Sequence, residues 1–244
     1  MDLRLDGARV LVTGASGGLG GAIAAGFVAE GARVLAASRT DEHAVPDGVV
    51  GRVLADLADP GAGQVLAEAV RRELGGLDTL VAAAGAAVKG RVDELADDAW
   101  DAGLELNLRS AIRLVRATAP LLKESSGRIV LLSALSASEP RGGHAVSNVG
   151  KAGIAALGKT LSRELAADGI LVNCLAPGRI RSRQLDRNFP SDEARAQFAA
   201  AHIPLGRFGS AEEIVPVTLL LGSPANTYIS GQTVGVDGGM AWAV

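Results

Sequence analysis

Short aliphatic runs alternate with helix-length segments along nearly the whole of the 244-residue chain. The runs fall at residues 8–12, 33–37, 49–54, 77–83, 128–132, 170–175 and 232–236. Between them, apolar spacing and flanking Gly or Pro predict helices over 19–30, 60–74, 97–122, 146–166 and 211–221, the third interrupted or ended near Pro120. The runs are continuous in Val, Leu, Ile and Ala, the pattern of strands buried on both faces. Strands and helices in alternation join by right-handed crossovers, which predicts a doubly wound, seven-stranded parallel sheet with helices on both faces. Hydrophobic residues make up 48% of the chain and aromatics 3%, so the core is aliphatic. No linker, repeat or low-complexity tract divides the chain, and its length suits one α/β domain over 1–244.

Composition narrows the partners. A net charge of −3 gives no electrostatic reason to expect nucleic acid or an anionic membrane. No apolar run approaches the roughly 20 residues that span a bilayer, and the charged N-terminus does not read as a signal peptide. Cys174 is the only cysteine, which rules out an internal disulfide and points to the cytoplasm. No His/Cys cluster suggests a metal.

Thr13-Gly14-Ala15-Ser16-Gly17-Gly18-Leu19-Gly20 joins the first strand to the first helix. Glycines there let backbone approach a pyrophosphate, and the helix N-terminus offers free N–H groups. Further motifs follow in order: Asp56-Leu57, Ala84-Gly85, Asn107 within the third helix, Pro177-Gly178-Arg179-Ile180-Arg181-Ser182, Tyr228-Ile229-Ser230-Gly231 and Val236-Asp237-Gly238-Gly239. Together they resemble the short-chain dehydrogenase/reductase superfamily, with its TGxxxGxG turn, over almost the whole chain. The resemblance implies a Rossmann fold, a nicotinamide cofactor, and a cofactor site at Gly14, Ser16, Gly18, Leu19, Gly20, Asp56, Leu57, Ala84, Gly85, Lys151, Pro177, Gly178, Ile180 and Ser182. It also implies a homodimer or homotetramer. The family's NNAG motif is altered, because Ala82 and Ala83 replace both asparagines.

Ser38-Arg39-Thr40 ends the second strand where an NAD-preferring site carries an acid. A hydroxyl and a guanidinium suit a 2′-phosphate, so NADP(H) is the expected cofactor; the other reading of Arg39 is an ordinary solvated residue.

The family's catalytic pair is Tyr-x-x-x-Lys on one helix face. Here the segment reads Ser147-Asn148-Val149-Gly150-Lys151, so Lys151 matches and Ser147 holds the tyrosine's place. Counting back thirteen residues to the family's serine gives Ala134, while a one-residue shift of the loop would put Ser133 there. The single tyrosine, Tyr228, belongs to its own motif near the C-terminus. A serine alcohol is too weak an acid to protonate an alkoxide, and His144, with an ordinary pKa of ~6.5, is the nearby alternative; it also reads as a plain loop histidine. Ser136 and Ser138 read as turn caps.

Three functions fit. The first is an NADPH-dependent ketoreductase whose proton comes from water or a substrate hydroxyl, with Asn107 and Lys151 holding a water and the cofactor ribose. In its missing residues the chain resembles the atypical angucyclinone ketoreductases, which implies a polycyclic aromatic polyketide ketone as substrate. The second is a non-redox enzyme (isomerase, dehydratase or cyclase), and the third an NADP-sensing pseudoenzyme. Residues 179–209, with mixed charge and two prolines, read as a lid at the carboxyl edge of the sheet, or else as a surface excursion.

Overall fold

The computed structural model describes residues 1–181 and 189–242. Seven parallel strands form one sheet in the order β3-β2-β1-β4-β5-β6-β7. They are β1 (Arg9–Thr13), β2 (Arg33–Ser38), β3 (Gly51–Leu54), β4 (Thr79–Ala82), β5 (Arg128–Leu132), β6 (Leu171–Pro177) and β7 (Thr233–Val236). Thr13 is in register with Ala37 on one side and Ala82 on the other. The strand order therefore reverses at β1, and the crevice for a ligand opens beyond its carboxyl end. At the opposite edge, Asp78 accepts from the Arg9 backbone N–H at 2.8 Å and from its guanidinium at 2.7 and 2.9 Å, pinning β1 to β4.

Because strand side chains alternate, the sheet builds two cores. Leu11, Leu35, Leu80, Ile129 and Leu131 face α2 (Ala62–Leu74), α4 (Ser110–Ser125) and α5 (Ala145–Glu164). Val10, Val12, Val34, Val81 and Val130 face α1 (Gly18–Ala29) and α7 (Val215–Gly222). The helices come close because small residues line them: a Cβ on Gly158 of α5 would lie 2.3 Å from the Cys174 sulfur. Cys174 is buried, and burial pushes its thiol up to about 11.

The third predicted helix differs from expectation. It runs as α3 (Asp97–Leu104), a π-helical turn (Glu105–Arg109) and α4, and Pro120 lies inside α4 without ending it. The buried Leu121 and Leu122 continue α4 beyond that proline, while the irregularity falls at Asn107. Residues 179–209 also hold a helix that the sequence reading missed, α6 (Asp192–His202), started by the Ser191 hydroxyl, which accepts from Ala194 N at 3.2 Å. Ser191-Asp192-Glu193 is a cap signal that could have revealed it.

Candidate active site

The turn after β1 is shaped by contacts that exclude side chains. Gly14 has φ +69°, and a Cβ on it would stand 3.0 Å from Ala84 Cα; a Cβ on Gly20 would stand 2.4 Å from the Gly14 carbonyl oxygen. Thr13 Oγ1 accepts from Ala83 N at 3.2 Å and Ala84 N at 3.4 Å, fixing the ends of β1 and β4 together. Gly17 and Gly18 face open space, and the first turn of α1 holds no acidic residue. Side chains are thus excluded at Gly14 and Gly20, while Gly17 and Gly18 leave open space at the N-terminus of α1, an arrangement that suits a pyrophosphate.

At the end of β2, Ser38 is buried, donates to Thr40 O at 3.0 Å and accepts from Arg52 Nε at 2.8 Å. Arg52, which the sequence reading did not flag, also donates to Thr40 O. An arginine within an aliphatic strand was the available signal. Arg39 is exposed beside this turn. Asp56 is exposed and its carboxylate accepts from Ala58 N at 3.0 Å, while Leu57 packs on the core.

Ser147, four residues before Lys151, lies on the first turn of α5. Its hydroxyl accepts from Val88 N at 2.8 Å and donates to Val88 O at 3.2 Å, so it ties the loop after β4 to α5. Lys151, one turn on, donates from Nζ to Leu132 O at 2.7 Å. Burial of its ammonium lowers its pKa to about 8. Asn107 is buried in the π turn: Oδ1 accepts from Ala86 N at 3.1 Å, and Nδ2 donates to Ala86 O at 3.0 Å and Gly103 O at 2.9 Å. A Cβ on Gly85 would lie 2.9 Å from Asn107 Oδ1 and 3.3 Å from Lys151 Nζ, so these groups and the loop after β4 meet at one point.

Of the three serines that follow β5, Ser136 is buried in the turn and the other two donate to backbone carbonyls. Ser133 is buried and donates to Lys151 O at 2.8 Å; Ser138 donates to Leu135 O at 3.2 Å. Ala134 opens the following turn in extended conformation. His144 precedes α5, with Nδ1 3.2 Å from Gly142 O, and its neighbour Gly143 accepts from Gly90 N at 2.9 Å.

On the far side of the crevice, a Cβ on Gly178 would lie 2.5 Å from Asp237 Cβ, so β6 turns tightly against the end of β7. Pro177 and Ile180 are buried there, and Ile180 pairs with Gly209. Ser182 lies outside the described residues. Three of the chain's four phenylalanines gather under α6: Phe189 stands 5.4 Å from Phe198 and 5.5 Å from Phe208, and His202 stacks on Phe198 at 4.3 Å. Arg179 lies 5.1 Å from the Phe198 ring centroid. Among the described residues no His/Cys/Asp/Glu group could hold a metal, and no helix is long and apolar enough to cross a membrane.

A doubly wound sheet with a glycine turn at its switch point, and a lysine and an asparagine converging beside it, defines a dinucleotide-binding oxidoreductase scaffold. The family model described as enoyl-(acyl carrier protein) reductase matches residues 14–241. The 3-oxoacyl-[acyl-carrier-protein] reductase FabG of Escherichia coli is 36% identical over 244 residues, covering 98% of this chain and 99% of that protein. Nodulation protein G of Rhizobium meliloti is 35% identical, covering 97% and 98%. Among solved structures, L-sorbose reductase from Gluconobacter frateurii complexed with NADPH and L-sorbose superposes with TM-score 0.94 at 32% identity over 100% of both chains. An NADPH-bound short chain oxidoreductase from Pseudomonas aeruginosa, described as containing an atypical catalytic center, superposes with TM-score 0.91 at 31% identity over 97% and 98%. The chain belongs to the short-chain dehydrogenase/reductase superfamily and is an oxidoreductase.

Proposed function

We propose that the protein is an NADPH-dependent ketoreductase acting on a polycyclic aromatic, angucyclinone-like polyketide ketone, with the proton supplied by a substrate hydroxyl or water. The observation that carries this reading is the Ser147 hydroxyl, whose donor and one acceptor site are both committed to the Val88 backbone. Serine is in any case too weak an acid to protonate an alkoxide at neutral pH.

The cofactor fits the residues present, since side chains are excluded at Gly14 and Gly20 and space is left at Gly17 and Gly18. Gly14, Ser16, Gly18, Leu19 and Gly20 would hold the pyrophosphate; Ser38, Arg39 and Arg52 the 2′-phosphate; Asp56 and Leu57 the adenine. Ala84, Gly85, Lys151, Pro177, Gly178, Ile180 and Ser182 would line the nicotinamide end. When bound, the reduced nicotinamide supplies the hydride. Lys151 holds the ribose from its seat on Leu132 O and keeps a positive charge beside the developing alkoxide. Asn107 fixes the loop at Ala86 and so shapes the wall against which the ketone rests, while His144 stands at the mouth. Residues 179–209 would act as a lid, with the phenylalanine cluster of its described part packed about α6. The relatives named above support the cofactor and the reaction class. A cytoplasmic homodimer or homotetramer completes the reading.

Formation of alcohol in step with loss of nicotinamide absorbance, for a polycyclic aromatic ketone supplied with NADPH, tests it. Turnover of substrate with the absorbance unchanged would replace the reductase with an isomerase, dehydratase or cyclase.

A further inference from the structure

Ser136 is buried, with 9% of its surface exposed, and its hydroxyl has no hydrogen-bond partner among the described residues. Its neighbours are all committed: Ser133 donates to Lys151 O at 2.8 Å, Ser138 to Leu135 O at 3.2 Å and Ser147 to Val88 O at 3.2 Å. The enclosed side-chain atoms that lack a partner are Arg128 Nε, Asn148 Oδ1 and Arg179 Nε. The Ser136 hydroxyl is not one of them, so it borders space that a ligand or water can enter. A buried hydroxyl left without a protein partner calls for such an occupant. Hydrogen bonds on either side of it fix its place. Ser133 N donates to Leu175 O at 2.8 Å, and Lys151 Nζ donates to Leu132 O at 2.7 Å, so the end of β5 is held between β6 and Lys151 of α5. Ala137 N then donates to Ala134 O at 3.0 Å, closing the turn Leu135–Ala137 with Ser136 at its middle. That turn packs on α5 and on β6. Three residues reach at most about 10 Å, which keeps Ser136 at the carboxyl edge of the sheet beside Lys151.

We propose that Ser136 polarises the ketone, its hydroxyl donating to the carbonyl oxygen in place of a hydroxyl at position 134, where alanine stands. The inference rests on the ketoreductase reading. As hydride adds to the carbonyl carbon, the C=O π bond breaks and its electron pair moves to oxygen. The Ser136 O–H bond stays intact, and its donation strengthens as the oxygen becomes an alkoxide. The proton that completes the alcohol still comes from a substrate hydroxyl or water. Ser133, nearer in sequence to position 134, does not serve, because its single proton goes to Lys151 O.

Ser136→Ala removes a hydroxyl that bonds to no other described residue, so Tm is expected to stay the same or rise slightly. Over the same change, kcat for an angucyclinone ketone without an adjacent phenol is expected to fall about 10²–10³-fold, the cost of one donor to a developing oxyanion, with KM nearly unchanged. A serine that only held the turn would lower Tm and kcat together. The second readout needs no turnover: the carbonyl stretch of the same ketone, isotope-labelled at the carbonyl and bound to the NADP⁺-loaded protein. Infrared difference spectroscopy is expected to find the stretch lowered in the wild type and returned toward its value in an aprotic solvent in the variant. An unchanged kcat, a fall in kcat matched by a fall in Tm, or one carbonyl frequency in both proteins would overturn the proposal. A shifted carbonyl with no NADPH oxidation by the wild type would overturn the ketoreductase reading and leave the Ser136 contact standing. Turnover indifferent to Ser136→Ala would do the reverse.

Discussion

The Ser147 hydroxyl and the Val88 backbone hold each other by two hydrogen bonds, one given and one received, at 3.2 and 2.8 Å. Together with Asn107 bonded to both backbone groups of Ala86, they fasten the loop after β4 at two points two residues apart. The wall of the crevice is thus fixed by side chains that in this superfamily are expected to do chemistry.

Ser147→Ala leaves the Val88 N–H and C=O without their side-chain partner. A loss of about 1–3 kcal/mol in denaturant-derived stability is expected, with kcat for ketone reduction reduced by less than about tenfold. Loss of a true general acid would cost ~10²–10⁴, and steady-state kinetics on the folded variant separate the two. For the same reason Ser147→Tyr is expected to give no activation, because the larger side chain displaces the Val88 contact.

Lys151 carries a pH signature. Its ammonium, lowered to about 8 by burial, is charged below that pH and neutral above it. KM for NADPH is expected to stay flat up to about pH 8 and to rise beyond it, and Lys151→Met is expected to have a high, pH-independent KM. The stability effect has the opposite direction. The folded state releases this proton before the unfolded state does, at about 8 against 10.5, so the penalty for burying the charge is relieved as pH rises through that window. Cys174, raised from 9.0 to about 11, lowers stability over an overlapping range, so the difference between wild type and Lys151→Met is the quantity to measure.

On the proposed reading, Arg39 and Arg52 would divide the recognition of the 2′-phosphate. Arg39→Ala is expected to lower kcat/KM for NADPH about ten- to a hundredfold, as loss of a charge-assisted pair does, and to leave NADH little changed. Arg52→Ala removes the donor that steadies Ser38 and is expected to shift the NADPH/NADH ratio in the same direction by a smaller factor.

Gly20→Ala puts a methyl group 2.4 Å from the Gly14 carbonyl, which backbone cannot yield. Loss of NADPH binding by fluorescence titration and a lowered Tm are expected. Gly142→Ala, with nothing within 4 Å of the added carbon, is the control and is expected to leave both unchanged.

The sheet was legible because aliphatic runs with helix-length spacing admit few other arrangements, and all seven strands fall within two residues of their expected starts. The glycine turn after β1 was legible because Gly14 and Gly20 are required by contacts with Ala84 and the Gly14 carbonyl. The π turn at Asn107 was not, since helical periodicity cannot show a single extra residue per turn; Pro120 misled because its lost hydrogen bond is offset by burial of Leu121 and Leu122 on the core face of the helix. The Ser147–Val88 staple was also hidden. A serine in place of a tyrosine reads as a lost acid, and only the neighbouring loop reveals what the hydroxyl now does. Arg52 lay on a strand adjacent in space and fourteen residues away in sequence.

On the proposed mechanism the proton comes from outside the protein's side chains. Single-turnover NADPH oxidation with two angucyclinone ketones, one bearing a phenol adjacent to the ketone and the other lacking only that hydroxyl, measures it most directly. Substrate assistance predicts that removing the hydroxyl slows hydride transfer by ~10²–10⁴, the range of a positioned general acid, with affinity little changed. Equal rates for the two ketones would contradict it and return the role to a residue of the crevice.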